Sequence, residues 1–236
     1  MKDTNFLKTN LFVNKGIYDN QITYENTIES FKEAIKNKYS IILSVNLTKD
    51  NIIIVYYDND LTRLMNLKDK INSITYEELN YLCSYHVPTL EETLKLINGE
   101  TEIILDIRTT SHKYYLEKIL AFYLDNYQGS FGILSKFAKS INWFNKNRPN
   151  FIVGEVLTKK SNLSLNNIIA NCCIHTDFKS ININYYDIYK IKKIKEDSLV
   201  LGYLIDDQEK YLVYKDIFDN LFIDNVYELQ MTEEIL

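Results

Sequence analysis

The feature that most constrains this chain is a regular alternation of short β-branched runs with runs of helical periodicity. Strand-like runs stand at Asn10–Asn14, Ser40–Asn46, Glu102–Arg108, Phe131–Ser135, Asn150–Val156, Cys172–His175, Leu199–Ile205 and Asn220–Asp224. Between them, apolar residues recur at helical spacing in Glu25–Lys36, Tyr114–Asp125, Lys139–Lys146, Ser164–Ala170, Tyr185–Ile194 and Gln208–Phe218. Two further helices open at Thr75 and Thr89, each with a glutamate three residues on, Glu78 and Glu92, in capping-box spacing. Thr48-Lys49-Asp50-Asn51 is turn chemistry for a two-residue hairpin, and Ile52–Tyr57 returns as its second arm. Repeated β-α units make a parallel sheet, and eight of them in one domain make a barrel. The expected fold is therefore α/β: a single (β/α)8 TIM-type barrel over residues 1–236, with a β-hairpin arm after the second strand.

Composition agrees with one well-cored domain. Of 236 residues, 46% are hydrophobic, and only 6 Gly and 2 Pro leave little material for flexible linkers. A net charge of −5 without any Lys/Arg run argues against nucleic acid as a partner. No apolar run reaches the ~18 residues of a membrane helix, and the first residues carry no signal-peptide core, so a cytoplasmic protein is expected. Cys83, Cys172 and Cys173 have neither metal spacing nor a ready disulfide partner and read as buried free thiols. The 19 tyrosines belong with an Ile-, Asn- and Lys-rich bias and do not each need a role. No feature fixes an oligomeric state.

In such a barrel, chemistry gathers at the carboxyl ends of the strands. Those ends carry Asn14-Lys15, Ser44 and Asn46, Asp106 and Arg108, Ser135, Glu155, His175-Thr176-Asp177, Asp206-Asp207 and Asp224, and the hairpin arm adds Tyr57-Asp58. Any one of these also suits a solvated loop.

Several motifs stand in a telling order: Glu25-Asn26-Thr27, Leu47-Thr48-Lys49-Asp50, Leu61-x-Arg63 and Pro88-Thr89-Leu90-Glu91-Glu92. Near the end come Tyr203-Leu204-Ile205-Asp206 and Leu221-Phe222-Ile223-Asp224. This arrangement resembles the glycerophosphodiester phosphodiesterase family, which implies a phosphoric diester hydrolase ancestry and a link to lipid metabolism. The family pattern has His-Arg-Gly on the first strand, Glu-x-Asp on the second, His-Asp at the end of the hairpin and Glu-x-Lys on a later strand. There the histidines resemble an acid and a base, and the carboxylates hold calcium or magnesium.

At the chemical positions this chain departs. Asn14-Lys15-Gly16 replaces His-Arg-Gly, Ile42-x-Ser44 replaces Glu-x-Asp, Tyr57-Asp58 replaces His-Asp and Asp106-x-Arg108 replaces Glu-x-Lys. The resemblance thus places Asn14, Lys15 and Tyr57 at the catalytic positions and Ile42, Ser44 and Asp106 at the metal positions. It implies Lys15, Glu25, Asn26, Asp58, Arg108, Ser135 and Tyr203 as ligand-binding residues. Asn exchanges no proton near neutral pH, and Tyr with a pKa of about 10 is a poor base. Ile42 offers no metal ligand and Ser44 only a neutral one, so no cofactor is expected unless calcium or magnesium sits in a shifted site at Asp106 and Asp58. His86, His112 and His175 read as solvated or hydrogen-bonded structural residues. Three readings follow: a catalytically degenerate barrel that binds a small phosphate ester or polyol, a diverged hydrolase with a rearranged acid/base set, or a structural or interaction module whose pocket is unused. Charge balance adds one expectation, that Arg108 or Lys15 pairs with Asp106.

Overall fold

The computed structural model describes residues 2–157 and 175–230. In chain order the strands are β1 (Phe12–Asn14), β2 (Ser40–Leu47), β3 (Ile53–Val55), β4 (Ile103–Ile107), β5 (Phe131–Ser135), β6 (Ile152–Leu157), β7 (Phe178–Asn182), β8 (Leu199–Ile205) and β9 (Asn220–Ile223). The α-helices among the described residues are α1 (Ile28–Lys36), α2 (Thr62–Met65), α3 (Tyr76–Leu82), α4 (Leu90–Ile97), α5 (Tyr115–Leu124), α6 (Ala138–Asn147), α7 (Ile188–Lys195), α8 (Gln208–Tyr214) and α9 (Val226–Gln230). Among the described residues, helices follow these strands in alternation except between β6 and β7, where residues 158–174 are not described, and β3 is the hairpin arm. The fold is the expected (β/α)8 TIM type with one extra strand.

The chain forms two compact units. In Lys15–Ser130, β2 pairs parallel with β4, with Ser44 opposite Asp106, and antiparallel with β3, with Val45 opposite Val55. All eight residues of β2 are buried, as a near-continuous Ile/Leu/Val run requires. Thr75/Glu78 and Thr89/Glu92 form the capping boxes that their spacing predicts. In the unit made of Met1–Asn14 and Phe131–Leu236, parallel pairs run from β5 through β6, β7, β8 and β9 to β1.

Several boundaries differ from the sequence expectation. Helix α1 starts at Ile28, not Glu25, because Asn26 is left-handed (φ 57°) and Thr27 is the N-cap, in a capping box with Ser30. The hairpin turn spans three residues rather than two: the Thr48 N–H donates to the Ile52 carbonyl, and Asn51 supplies the left-handed residue at φ 62°. Strand β7 is Phe178–Asn182, downstream of the expected Cys172–His175; of that run His175 is in no strand, and the rest lies outside the described residues, as does Ser164–Ala170. Helix α7 begins at Ile188 because the Asp187 carboxylate caps the Lys190 N–H. Helix α8 stops at Tyr214, and α9 has no counterpart in the sequence reading.

Candidate functional site

Lys15 is placed by backbone conformation. It follows β1 at φ 70°, and Gly16 continues at φ 84°. A Cβ on Gly16 would lie 2.5 Å from the Ser30 hydroxyl oxygen, so only glycine fits this bend. The Lys15 N–H donates to the Ile42 carbonyl at 3.0 Å, and the Lys15 carbonyl accepts from the Asn26 N–H at 2.8 Å and the Ser30 hydroxyl at 3.2 Å. The first loop, the entry to α1 and β2 are thereby tied around one lysine.

Around Lys15 lies a network of charged side chains. Its Nζ sits 3.3 Å from the buried Glu25 carboxylate. Arg63 reaches the same carboxylate with both Nη atoms, at 2.9 and 2.5 Å, and bonds Asp58 through Nε at 2.8 Å. Arg108 Nη1 pairs with Asp106 Oδ2 at 2.8 Å, while its Nε donates to the Tyr57 carbonyl at 3.1 Å. The Tyr57 ring stands among the cations: Lys15 Nζ is 4.3 Å from its centroid, Arg108 Cζ 3.9 Å and Arg63 Cζ 5.7 Å. Lys15, Glu25, Tyr57, Asp58, Asp106 and Arg108, scattered over 94 residues of sequence, therefore form one cluster.

Three of its groups, Glu25, Arg63 and Arg108, are held in their charged forms. Burial alone would raise the Glu25 carboxyl, but hydrogen bonds from Arg63 and the charges of Lys15 and Arg63 outweigh it and hold it below the usual carboxylate range. Burial alone would lower the Arg108 guanidinium, yet Asp106 and Tyr57 keep it above its ordinary value. Arg63 is held up in the same way by Glu25 and Asp58.

The remaining expected residues lie as follows. Asn26 is buried and its Oδ1 accepts from the Ser44 N–H at 3.2 Å. Ile42 and Ser44 are buried in β2. In the other unit, Asn14 Nδ2 donates to Asp224 Oδ1 at 2.6 Å. Ser135 is buried, opposite Glu155 in the sheet, and its hydroxyl accepts from the Phe137 N–H at 3.0 Å. Tyr203 stands opposite Asn182 in β8. His86 is exposed and pairs with Glu92 at 3.2 Å, His112 opens a short 3-10 turn, and His175 accepts from Asn145 through its carbonyl. Cys83 is a free, half-buried thiol whose pKa burial pushes up to about 11, which leaves it unreactive at neutral pH; Cys172 and Cys173 lie outside the described residues. The sequence reading missed Arg63 as a site residue, although it stood in the Leu61-x-Arg63 motif.

A hard divalent cation needs several oxygen ligands with carboxylate charge. The donor set at the metal positions does not fit one: Ile42 has no donor, Ser44 is neutral, and Asp106 is engaged by Arg108. The alternative pair is engaged as well, Asp58 by Arg63.

The sequence profile of the Glycerophosphoryl diester phosphodiesterase family matches residues 15–156, more than half of the chain. The chain belongs to that family. It is 31% identical over 117 residues to a glycerophosphodiester phosphodiesterase of Bacillus altitudinis, a match covering 45% of this chain and 47% of that protein. The match thus spans about half the length of this curated relative. Among solved structures, it resembles an Oleispira antarctica phosphodiesterase in complex with sn-glycerol-3-phosphate, with a TM-score of 0.81 at 16% identity over 97% of each chain. It also resembles a glycerophosphodiester phosphodiesterase from Thermotoga maritima, with a TM-score of 0.75 at 19% identity over 97% of this chain and 99% of that one. At these identities the structural likeness speaks to the fold alone.

Proposed function

We propose that this member of the family is a catalytically degenerate barrel that binds a small phosphate ester or polyol and does not hydrolyse phosphodiesters by a metal-dependent route. One observation carries the reading: the Asp106 carboxylate is taken by Arg108, whose guanidinium packs on the ring of Tyr57, the residue at a catalytic histidine position. A fixed guanidinium supplies the positive charge that balances Asp106 but offers no open coordination position to polarise a phosphoryl oxygen. Asn14, bonded to Asp224, supplies no base. A cytoplasmic setting and a role beside lipid metabolism belong to the same proposal; among the described residues no helix is long and apolar enough to cross a membrane.

The test is hydrolysis of glycerophosphocholine with and without chelator. The unmodified protein is expected to stay at background, and so is each partial repair, Asn14→His alone or Ile42→Glu with Ser44→Asp. Acid/base groups and a metal that act as a unit are strongly non-additive. Only the combination Asn14→His, Lys15→Arg, Ile42→Glu, Ser44→Asp and Tyr57→His is expected to give calcium- or magnesium-dependent turnover. Robust chelator-sensitive hydrolysis by the unmodified chain would overturn the proposal.

A second reading, a diverged hydrolase, draws on Lys15 and Arg108 lying 4.3 and 3.9 Å from the Tyr57 ring centroid, since two cations beside a phenol suit charge stabilisation with tyrosine as acid. Chelator-resistant hydrolysis lost in Lys15→Ala and Tyr57→Phe would favour it.

A further inference from the structure

Helix α7 has an inner and an outer side of different chemistry. Ile191 is fully buried and fixes the helix to its own unit. Away from it stand Ile188 and Tyr189 and, one turn on, Lys192 and Lys193, at the i and i+4 spacing that stacks side chains along one face. Ile188 is 43% and Tyr189 78% exposed, and Tyr185, in the turn before the helix, is 44% exposed. Folding gains nothing from leaving these large apolar side chains in water.

The lysines divide in the same way. Helix α7 holds four lysines and no acid in eight residues, in a chain of net charge −5. Two of them are already balanced, Lys190 by Asp187 at 3.2 Å and Lys195 by Asp219 at 3.4 Å. Lys192 and Lys193, on the apolar side, pair with no group among the described residues. Two lysines against the exposed Glu196, just past the helix, leave this side net positive, while Asp197 lines a cavity with Asp219, Lys2 and Lys8.

Exposed apolar groups beside unpaired lysines on a convex helix side suit the headgroup region of a bilayer. The apolar groups enter the acyl boundary, and the lysine stems lie along them while their ammonium groups reach lipid phosphates. The side of a single helix offers no concave pocket for the anchor residue of a protein partner. We infer that the outer side of α7 is a docking surface for an anionic bilayer, which the chain binds peripherally and reversibly. The surface belongs to the unit that does not contain the Lys15 cluster, so it stands independently of the catalytic reading.

The experiment is co-sedimentation of the full chain with vesicles of phosphatidylcholine alone and of phosphatidylcholine mixed with phosphatidylglycerol. Binding is expected to the mixed vesicles and to weaken as salt rises. Replacing both Lys192→Glu and Lys193→Glu is expected to lower it at least about tenfold. Tyr189→Ser is expected to lower it several-fold, and Glu196→Gln to raise it. These positions are exposed, and an unchanged thermal melt shows that each variant folds. Absence of sedimentation with either vesicle, or equal sedimentation with both, would overturn the inference. Binding that ignores the lysine reversal and Tyr189→Ser would overturn the assigned face. Self-association of the full chain that Tyr189→Ser abolishes, without vesicle binding, would overturn the bilayer in favour of a second copy.

Discussion

Two regions of this molecule use lysine–carboxylate pairs for different ends. In the unit containing β5 to β9, Lys2 pairs with Asp177 at 2.7 Å and Lys195 with Asp219 at 3.4 Å. Both carboxylates also accept backbone N–H groups, Asp177 from Val153 at 2.9 Å and Asp219 from Val200 at 2.8 Å. Both lysines reach backbone carbonyls too, Phe151 and Ile217. These pairs stitch the starts of β6 and β8 to the segments leading into β7 and β9. In the unit Lys15–Ser130, Glu25, Asp58 and Asp106 instead bond the side chains of Lys15, Arg63 and Arg108, and a tyrosine ring stands among the cations. Those carboxylates tie no strand to its neighbour. The contrast separates pairs that serve strand registration from pairs that make a preformed polar site.

The comparison breaks most visibly at Glu25. Glu25→Ala leaves Lys15 and Arg63 without their shared buried partner, and a loss of about 3 kcal/mol is expected in chemical denaturation. A loss under about 1 kcal/mol would mean that the network is looser than its geometry. On the other side, Asp177→Asn and Asp219→Asn are each expected to cost about 1–2 kcal/mol, because a charge-assisted bond to a strand N–H is weakened. Neither change should alter ligand binding; an effect on binding would blur the distinction.

Acid titration sharpens the contrast through two glutamates of opposite sign. Glu25 is held below its ordinary value in the fold, so its contribution is complete above pH ~4.3 and is lost as pH falls through the lowered folded value. Glu155, on β6, is raised by burial, with Lys179 offsetting part of the effect. Its penalty is absent below pH ~4.3 and grows as pH rises through the raised folded value. Denaturation midpoints should therefore show Glu155→Gln stabilising at pH 8 and neutral at pH 4, while Glu25→Gln removes part of the acid sensitivity. The reverse pattern would contradict both assignments. The smallest effect is expected at the surface: replacing Lys95 by Ala breaks the exposed Lys95–Glu91 pair, 2.7 Å apart, and should leave the denaturation midpoint nearly unchanged.

Much of this was legible in the sequence because local chemistry and periodicity agree. The Thr75 and Thr89 boxes and the buried, Ile/Leu/Val-rich β2 each show a single clear signature. Strand β7 was not legible, since it buries Ser180 and Asn182, so its run reads as loop beside the apolar Cys172-Cys173-Ile174. The start of α1 hid behind Asn26, whose left-handed conformation leaves no mark on periodicity. Lys15, Asp58, Asp106 and Arg108 could be named in advance as strand-end and hairpin-end residues. Arg63 was missed although it stands in the Leu61-x-Arg63 motif, because it sits on the four-residue helix α2 and reaches across 38 residues of sequence to Glu25. Long charged side chains join sites in ways that spacing does not encode.

The central claim is that Arg108 holds Asp106 in place of a metal ion. Calorimetric titration of the full chain with calcium, and then with magnesium, tests it most directly. The account predicts no saturable heat up to millimolar ion. Saturable micromolar binding that disappears in Asp106→Asn would contradict it.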